Sequence, residues 1–145
     1  MALSQIDTRR FAKPGARWRE DLASDIDAAG KALDGVKNSR IHTFISSSDV
    51  HLMHQMKKDR ESIMAMAVDS VKRAKQYVED VEFSPMDASR TDMNYLYQLI
   101  EAAIEAGATT INVPDTVGYS MPWEFRERIE KIKQNGFDTV AKTSV

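Results

Sequence analysis

Apolar positions recur along this chain with two alternating rhythms. From Asp21 onward, Leu22, Ile26, Ala29, Leu33 and Val36 step by 4, 3, 4 and 3, a single stripe on a helix, with Gly35 marking its stop. Arg40-Ile-His-Thr-Phe-Ile45 follows as a short β-branched and aromatic run, the signature of a strand. Ser46 to Lys58 has neither rhythm and reads as a loop. A second helix carries Ile63, Ala67, Val71, Ala74 and Val78 on one face, with Asp59 placed to cap it. Asp80 to Ser84 is the next strand, and a third helix with Met93, Leu96, Ile100 and Ala103 closes at Gly107. Thr109 to Val113 is a third strand ended by Pro114. A fourth helix begins near Pro122, presents Phe125, Ile129 and Ile132, and stops before Gly136. Phe137 to Val145 predicts the start of another strand.

Helices and strands therefore alternate. From Ile41 to Val81 is 40 residues, and from Val81 to Thr110 and from Thr110 to Thr139 are 29 each. Those are the sizes of βαβ units, which make neighbouring strands parallel with right-handed crossovers. The class is α/β, and both doubly wound sheets and (β/α) barrels fit it.

Strands buried on both faces should be almost wholly apolar, so their polar members carry information. Alternation puts His42 with Phe44, Glu82 with Ser84 and Met86, and Asn112 with Pro114 and Thr116. Ile41, Thr43 and Ile45, Val81 and Phe83, and Ile111 and Val113 take the opposite faces. One polar group would be satisfied inside the core, but a stripe across three strands points to a site. In a barrel it would point inward, with Ser84, Asn112 and Thr116 late in their strands, where barrel sites lie. Ser, Asn, Thr and His suit a small carboxylate or hydroxy acid. No glycine-rich loop follows a strand, which argues against a nucleotide cradle.

Composition narrows the classes. The 145 residues fit one domain, and 20 Lys and Arg against 22 Asp and Glu give a net charge of −2. That balance offers no electrostatic case for nucleic acid or an anionic membrane. The lack of cysteine excludes thiolate nucleophiles and disulfides. No apolar run approaches a membrane span, and no secretory signal opens the chain. Arg9, Arg10, Lys13, Arg17 and Arg19 could belong to an organelle-targeting leader. Pro14-Gly15 favours a solvated loop instead, with cytoplasm as the default location.

Other motifs have plainer readings. His51-x-x-His54 with His42 has a spacing common by chance, so exposed or supporting histidines are expected rather than metal ligands. Ser46-Ser-Ser-Asp49 is expected to cap the loop or the helix after it. Met53, Met56, Met64 and Met66 are assigned to packing, and Trp123 to an apolar anchor.

The strand sequences also resemble a known family. Arg40-Ile-His-Thr-Phe-Ile45 followed by Ser48-Asp-Val-His-Leu52 resembles the fourth strand and loop of the 2-isopropylmalate synthases. Asp80-Val-Glu-Phe-Ser-Pro85, with Asp87-Ala88 and Arg90, resembles the fifth. Glu105-Ala-Gly-Ala-Thr-Thr-Ile-Asn-Val-Pro-Asp-Thr-Val-Gly-Tyr119 resembles the sixth and is the most specific of the three. Asp25 to Ala29 and Ala2 to Gln5 are similar to the helix and strand before them. The resemblance covers nearly the whole chain except about Ile6 to Arg19, so residues 1–145 read as one partial catalytic domain with 6–19 as an insertion or loop.

It implies a segment of a (β/α)8 TIM barrel, roughly its third to seventh strands. It further implies a Claisen-type condensation of acetyl-CoA with 2-oxoisovalerate in leucine biosynthesis, with a divalent metal (Mg, Mn or Zn) polarising the keto group. By position, Thr116 would hold the oxo-acid carboxylate, while His42, Ser84, Asn112 and Pro114 would line the pocket for its side chain. Met86 stands where the family has Glu, and a thioether cannot move a proton. The family's Arg-Asp pair on its first strand has no counterpart here. Its His-x-His metal pair follows a Ser-Val like Ser144-Val145. The resemblance thus implies a truncated chain, holding no metal and inactive alone, from a homo-oligomeric enzyme. A non-catalytic partial barrel that binds a partner subunit is the alternative.

Overall fold

A computed structural model describes residues 5–7 and 18–137, with side chains from Leu22 onward. The strands are β1 (Gln5–Asp7), β2 (Arg40–Ser46), β3 (Asp80–Met86) and β4 (Thr110–Ile111). Between and after them come α1 (Trp18–Ala32), α2 (Asp49–His51), α3 (Arg60–Ala74), α4 (Met93–Glu105) and α5 (Pro122–Ile132). Local chemistry sets several boundaries. Asp59 accepts a hydrogen bond from the Ser62 N–H at 2.7 Å and Asp92 one from the Tyr95 N–H at 3.0 Å, capping α3 and α4. Gly107 takes φ 112° just after α4, a conformation that closes a helix and is strained for any residue with a Cβ.

All four strands are parallel, in the order β1-β2-β3-β4. Arg40 pairs with Asp80, His42 with Glu82, Phe44 with Ser84 and Glu82 with Thr110. This order separates the two candidate architectures. A doubly wound sheet reverses strand order and covers both faces. Here the order runs straight on, and right-handed crossovers then place every helix on one side. Accordingly α1 packs on α3, and α3 on α4. Beneath them Ile41, Ile45, Val81, Phe83, Ile111 and Val113 join Ile63, Val71, Leu96 and Ile100 in one buried core. Thr43 shares that apolar face, and its buried hydroxyl has no hydrogen-bond partner among the described residues.

Several expectations need correction. Ser46 to Lys58 is not all loop: β2 takes in Ser46, α2 follows, and Leu52–Met56 winds as a π-turn. That wider turn buries Leu52 and also Met56, the latter as assigned. Helix α1 ends at Ala32, so Val36 is left exposed off the stripe. Met53 and Trp123 are 63% and 67% exposed, so neither packs as assigned. Trp123 sits at the start of α5, away from the face that buries Ile132. Strand β4 pairs at two residues only, not from Thr109 to Val113. The Thr109 hydroxyl takes the Val81 N–H at 3.0 Å in place of a ladder bond. Strand β1 includes Ile6 and Asp7, and α1 includes Trp18 and Arg19, so the 6–19 segment narrows at both ends. Arg9, Arg10, Lys13 and Arg17 lie outside the described residues. Phe137 ends a π-turn rather than opening a strand, and the rest of the strand expected to Val145 lies outside the described residues.

Candidate functional site

On the sheet face away from the helices, three strands contribute one connected polar cluster. His42 Nε2 and Ser84 Oγ share a hydrogen bond at 2.7 Å, and Asn112 Nδ2 donates to the same Oγ at 2.9 Å. Strand alternation puts the three side chains on one face. His42, Ser84 and Asn112 all occupy positions opposite to the core-facing residues; His42 is level with Glu82 rather than Ser84, and its ring reaches the hydroxyl two positions along β3. Ser84 and Asn112 are buried, and His42 keeps one edge open. The cluster offers a small ligand imidazole, hydroxyl and amide groups as donors and acceptors.

Beneath it, towards the strand starts, Arg40 bridges Asp80 at 2.8 Å and Glu82 at 2.9 Å. Burial lowers the Arg40 pKa, but the hydrogen bonds to both carboxylates outweigh it and leave the guanidinium pKa raised. Glu82 also stands 3.8 Å from His42 Nε2. The Glu82 charge is thus matched within the sheet by Arg40.

The remaining candidate residues sit at the strand ends. Met86 is the last residue of β3, half-buried beside Ser46. Pro114 is half-buried beyond the end of β4. Thr116 does not continue the line from Asn112 and Pro114. A turn closed by the Gly118 N–H on the Asp115 carbonyl at 3.0 Å begins there, and leaves Thr116 exposed. Its Oγ1 accepts the Asp87 N–H at 2.8 Å, so it belongs to the strand-end loops rather than to the His42 cluster.

Those loops hold a second network, built on Asp87 and Arg90, which the sequence marked as part of a motif without giving them a role. Asp87 is fully buried. Ser48 Oγ donates to it at 2.5 Å, and Arg90 holds it with Nε at 2.9 Å and Nη2 at 2.7 Å. Burial pushes the Asp87 carboxyl up, yet the hydrogen bonds from Arg90 and Ser48 and the Arg90 charge prevail, and its pKa is lowered. Ser47 Oγ meets Thr91 Oγ1 at 2.7 Å. Ser47 and Ser48 therefore bridge two loops, and the Ser48 side chain does not cap α2. The available signal was a serine run after one strand and an Asp-x-x-Arg after the next.

Two tests bear on ligands. His54 is exposed, and His51 Nδ1 lies 3.6 Å from Asp87. Among the described residues no three His, Cys, Asp or Glu side chains converge as a metal seat. A groove of about 430 Å³ between α1 and α3 is lined by Leu22, Met66, Asp69 and Arg73, on the helix side and remote from the polar cluster. None of the described helices is long and apolar enough to cross a membrane.

The profile of the HMGL-like family matches residues 9–143. Over 112 residues, 77% of the chain, the sequence is 54% identical to a 2-isopropylmalate synthase of Syntrophus aciditrophicus, covering 22% of that protein. Similar proteins of the same name from Dictyoglomus turgidum and Gloeobacter violaceus are 54% and 55% identical over 79% of the chain, covering 23% and 21% of their lengths. The chain spans about a fifth of the length of the curated relatives it matches. With its straight run of parallel strands and helices on one side, this chain belongs to the HMGL-like family and forms an arc of that family's (β/α)8 barrel.

Proposed function

We propose that residues 1–145 serve as the middle part of a 2-isopropylmalate synthase-type catalytic barrel, in which they form the wall that receives the 2-oxo acid. The observation that carries this reading is the His42–Ser84–Asn112 cluster, hydrogen-bonded across three adjacent strands on the inward face. The reaction is the condensation of acetyl-CoA with 2-oxoisovalerate that opens leucine biosynthesis. Asn112 and His42 fix the Ser84 hydroxyl, Pro114 adds an apolar edge, and Thr116 donates to the carboxylate. The divalent metal of the complete enzyme would be seated by residues outside the described set, because the described donors do not converge. A cytoplasmic, homo-oligomeric enzyme goes with this reading.

Met86 qualifies the role. It lies at the end of β3, beside the cluster's strand, and its thioether can neither accept nor deliver a proton. We infer that the chain alone releases no CoA from acetyl-CoA and 2-oxoisovalerate. Met86 also favours the second reading, a non-catalytic partial barrel docked on a partner synthase subunit. One graft separates them. Residues 22–137 replace the matching segment of the Syntrophus aciditrophicus relative, with Met86 kept or changed to Glu. Activity in the Met86→Glu graft and none with Met86 supports the oxo-acid wall. A folded Met86→Glu graft without turnover supports the docking reading.

A further inference from the structure

Three successive loops, at the carboxyl ends of β2, β3 and β4, meet at one residue. Asp87 has φ 68° and ψ 37°, a left-handed conformation uncommon for a residue with a side chain. This twist sends the two ends of the residue to different loops. Its carboxylate faces the loop after β2, where Ser48 donates at 2.5 Å and His51 Nδ1 stands at 3.6 Å. Its N–H faces the loop after β4 and donates to Thr116 Oγ1 at 2.8 Å. Arg90 locks the carboxylate from its own loop. Two further ties brace the loop after β3, one from the loop after β4 and one from α5. Ser89 Oγ donates to Asp115 Oδ1 at 2.7 Å, and Arg128 donates to the carbonyls of Ala88 and Thr91.

A hydroxyl carries one hydrogen and two acceptor lone pairs. The Asp87 N–H occupies one lone pair of Thr116, which fixes the oxygen while leaving the hydroxyl hydrogen to donate elsewhere. Among the described residues no acceptor takes that hydrogen. Thr116 is exposed at the carboxyl end of the sheet, where an incoming anion can reach it.

We propose that Asp87 is a positioning residue: it clamps the loop after β3 between its neighbours and thereby aims the Thr116 hydroxyl at a carboxylate ligand. The ligand's identity rests on the proposed oxo-acid function, whereas the clamp does not.

The test uses the whole 145-residue chain by NMR, as wild type, Asp87→Asn and Ser48→Ala. Asparagine tolerates the left-handed backbone but weakens the charge-assisted bonds from Arg90 and Ser48. Two readouts follow the clamp itself: the Thr116 χ1 populations from three-bond couplings, and hydrogen exchange at the residue 87 N–H. The wild type should hold Thr116 in one rotamer. In Asp87→Asn that rotamer should average and exchange at residue 87 should speed up about tenfold or more, while α4 amides stay protected. The titrating probe is 2-oxoisovalerate, followed at the Thr116 methyl, and its apparent Kd should rise about fivefold in Asp87→Asn. If α4 protection is lost in that variant, Ser48→Ala, which removes one bond only, decides by the same readouts. A single Thr116 rotamer and unchanged exchange in the folded variants overturn the clamp. A wild-type Thr116 methyl that ignores 2-oxoisovalerate overturns the ligand, while a freed rotamer in the variants still supports the clamp.

Discussion

Ser84 Oγ lies 2.7 Å from His42 Nε2, joining adjacent parallel strands on the face their helices leave open. The same oxygen takes the Asn112 amide hydrogen, so one hydroxyl organises side chains from three strands. Ser84→Ala removes one hydrogen bond from each neighbour at a buried position. The expected cost is about 1–3 kcal/mol, read as a lower urea midpoint with unchanged m-value. An unchanged midpoint would mean that the cluster does not hold the strands together.

Thr43 supplies a contrasting prediction. Its hydroxyl is fully buried among helix-facing apolar residues with no hydrogen-bond partner among the described residues. Thr43→Val keeps the branched shape and removes the unsatisfied group. Stability should rise by about 1 kcal/mol in urea unfolding. A destabilised variant would show that the hydroxyl has a partner in solution.

Gly30 in α1 is held small by a neighbour. An added Cβ would stand 2.2 Å from Cγ of the Tyr77 ring, near the root of that side chain rather than at a movable tip. Although alanine is the better helix former, Gly30→Ala should lower the thermal midpoint by about 5 °C or more. Adding Tyr77→Ala removes the ring, and Gly30→Ala should then become neutral or stabilising. Additive losses in the double variant would contradict this contact.

Acid should weaken the fold in a defined window. The Arg73 hydrogen bond, helped by the Tyr77 hydroxyl, pulls the Asp27 carboxyl from its ordinary 3.8 down to about 2. A folded-state pKa below the unfolded value gives stability that is full above about pH 4 and is lost as pH falls towards 2. Asp87, also lowered, contributes with the same sign. Denaturant midpoints measured from pH 6 to 2 should therefore fall below pH 4, and Asp27→Asn should flatten part of that fall. An identical slope in the variant would show that Asp27 has no such linkage.

Much of this arrangement was legible in the chain. The 3.6-residue stripes located α3 and α4, and the 29-residue spacing required parallel neighbours. Alternation alone put His42, Ser84 and Asn112 on one face, because a strand leaves a side chain only two directions. What failed did so where periodicity has no hold. Thr116 was placed by extending an alternation past Asp115, but a turn breaks the strand there. Leu52 escaped notice because the short π-turn that buries it offers one apolar pair only, with Met56, too few for a helical stripe. The role of Asp87 went unrecognised because it comes from a left-handed backbone and partners 29 and 39 residues away. Trp123 shows the opposite error, since a large apolar side chain alone does not imply burial.

The most direct test of the central claim is the KM for 2-oxoisovalerate in the Met86→Glu graft, measured with and without Ser84→Ala. The account predicts turnover in the graft, and a KM for the oxo acid raised about tenfold by Ser84→Ala with the KM for acetyl-CoA unchanged. A Ser84→Ala graft with unaltered oxo-acid KM, or one that loses acetyl-CoA binding instead, would contradict it.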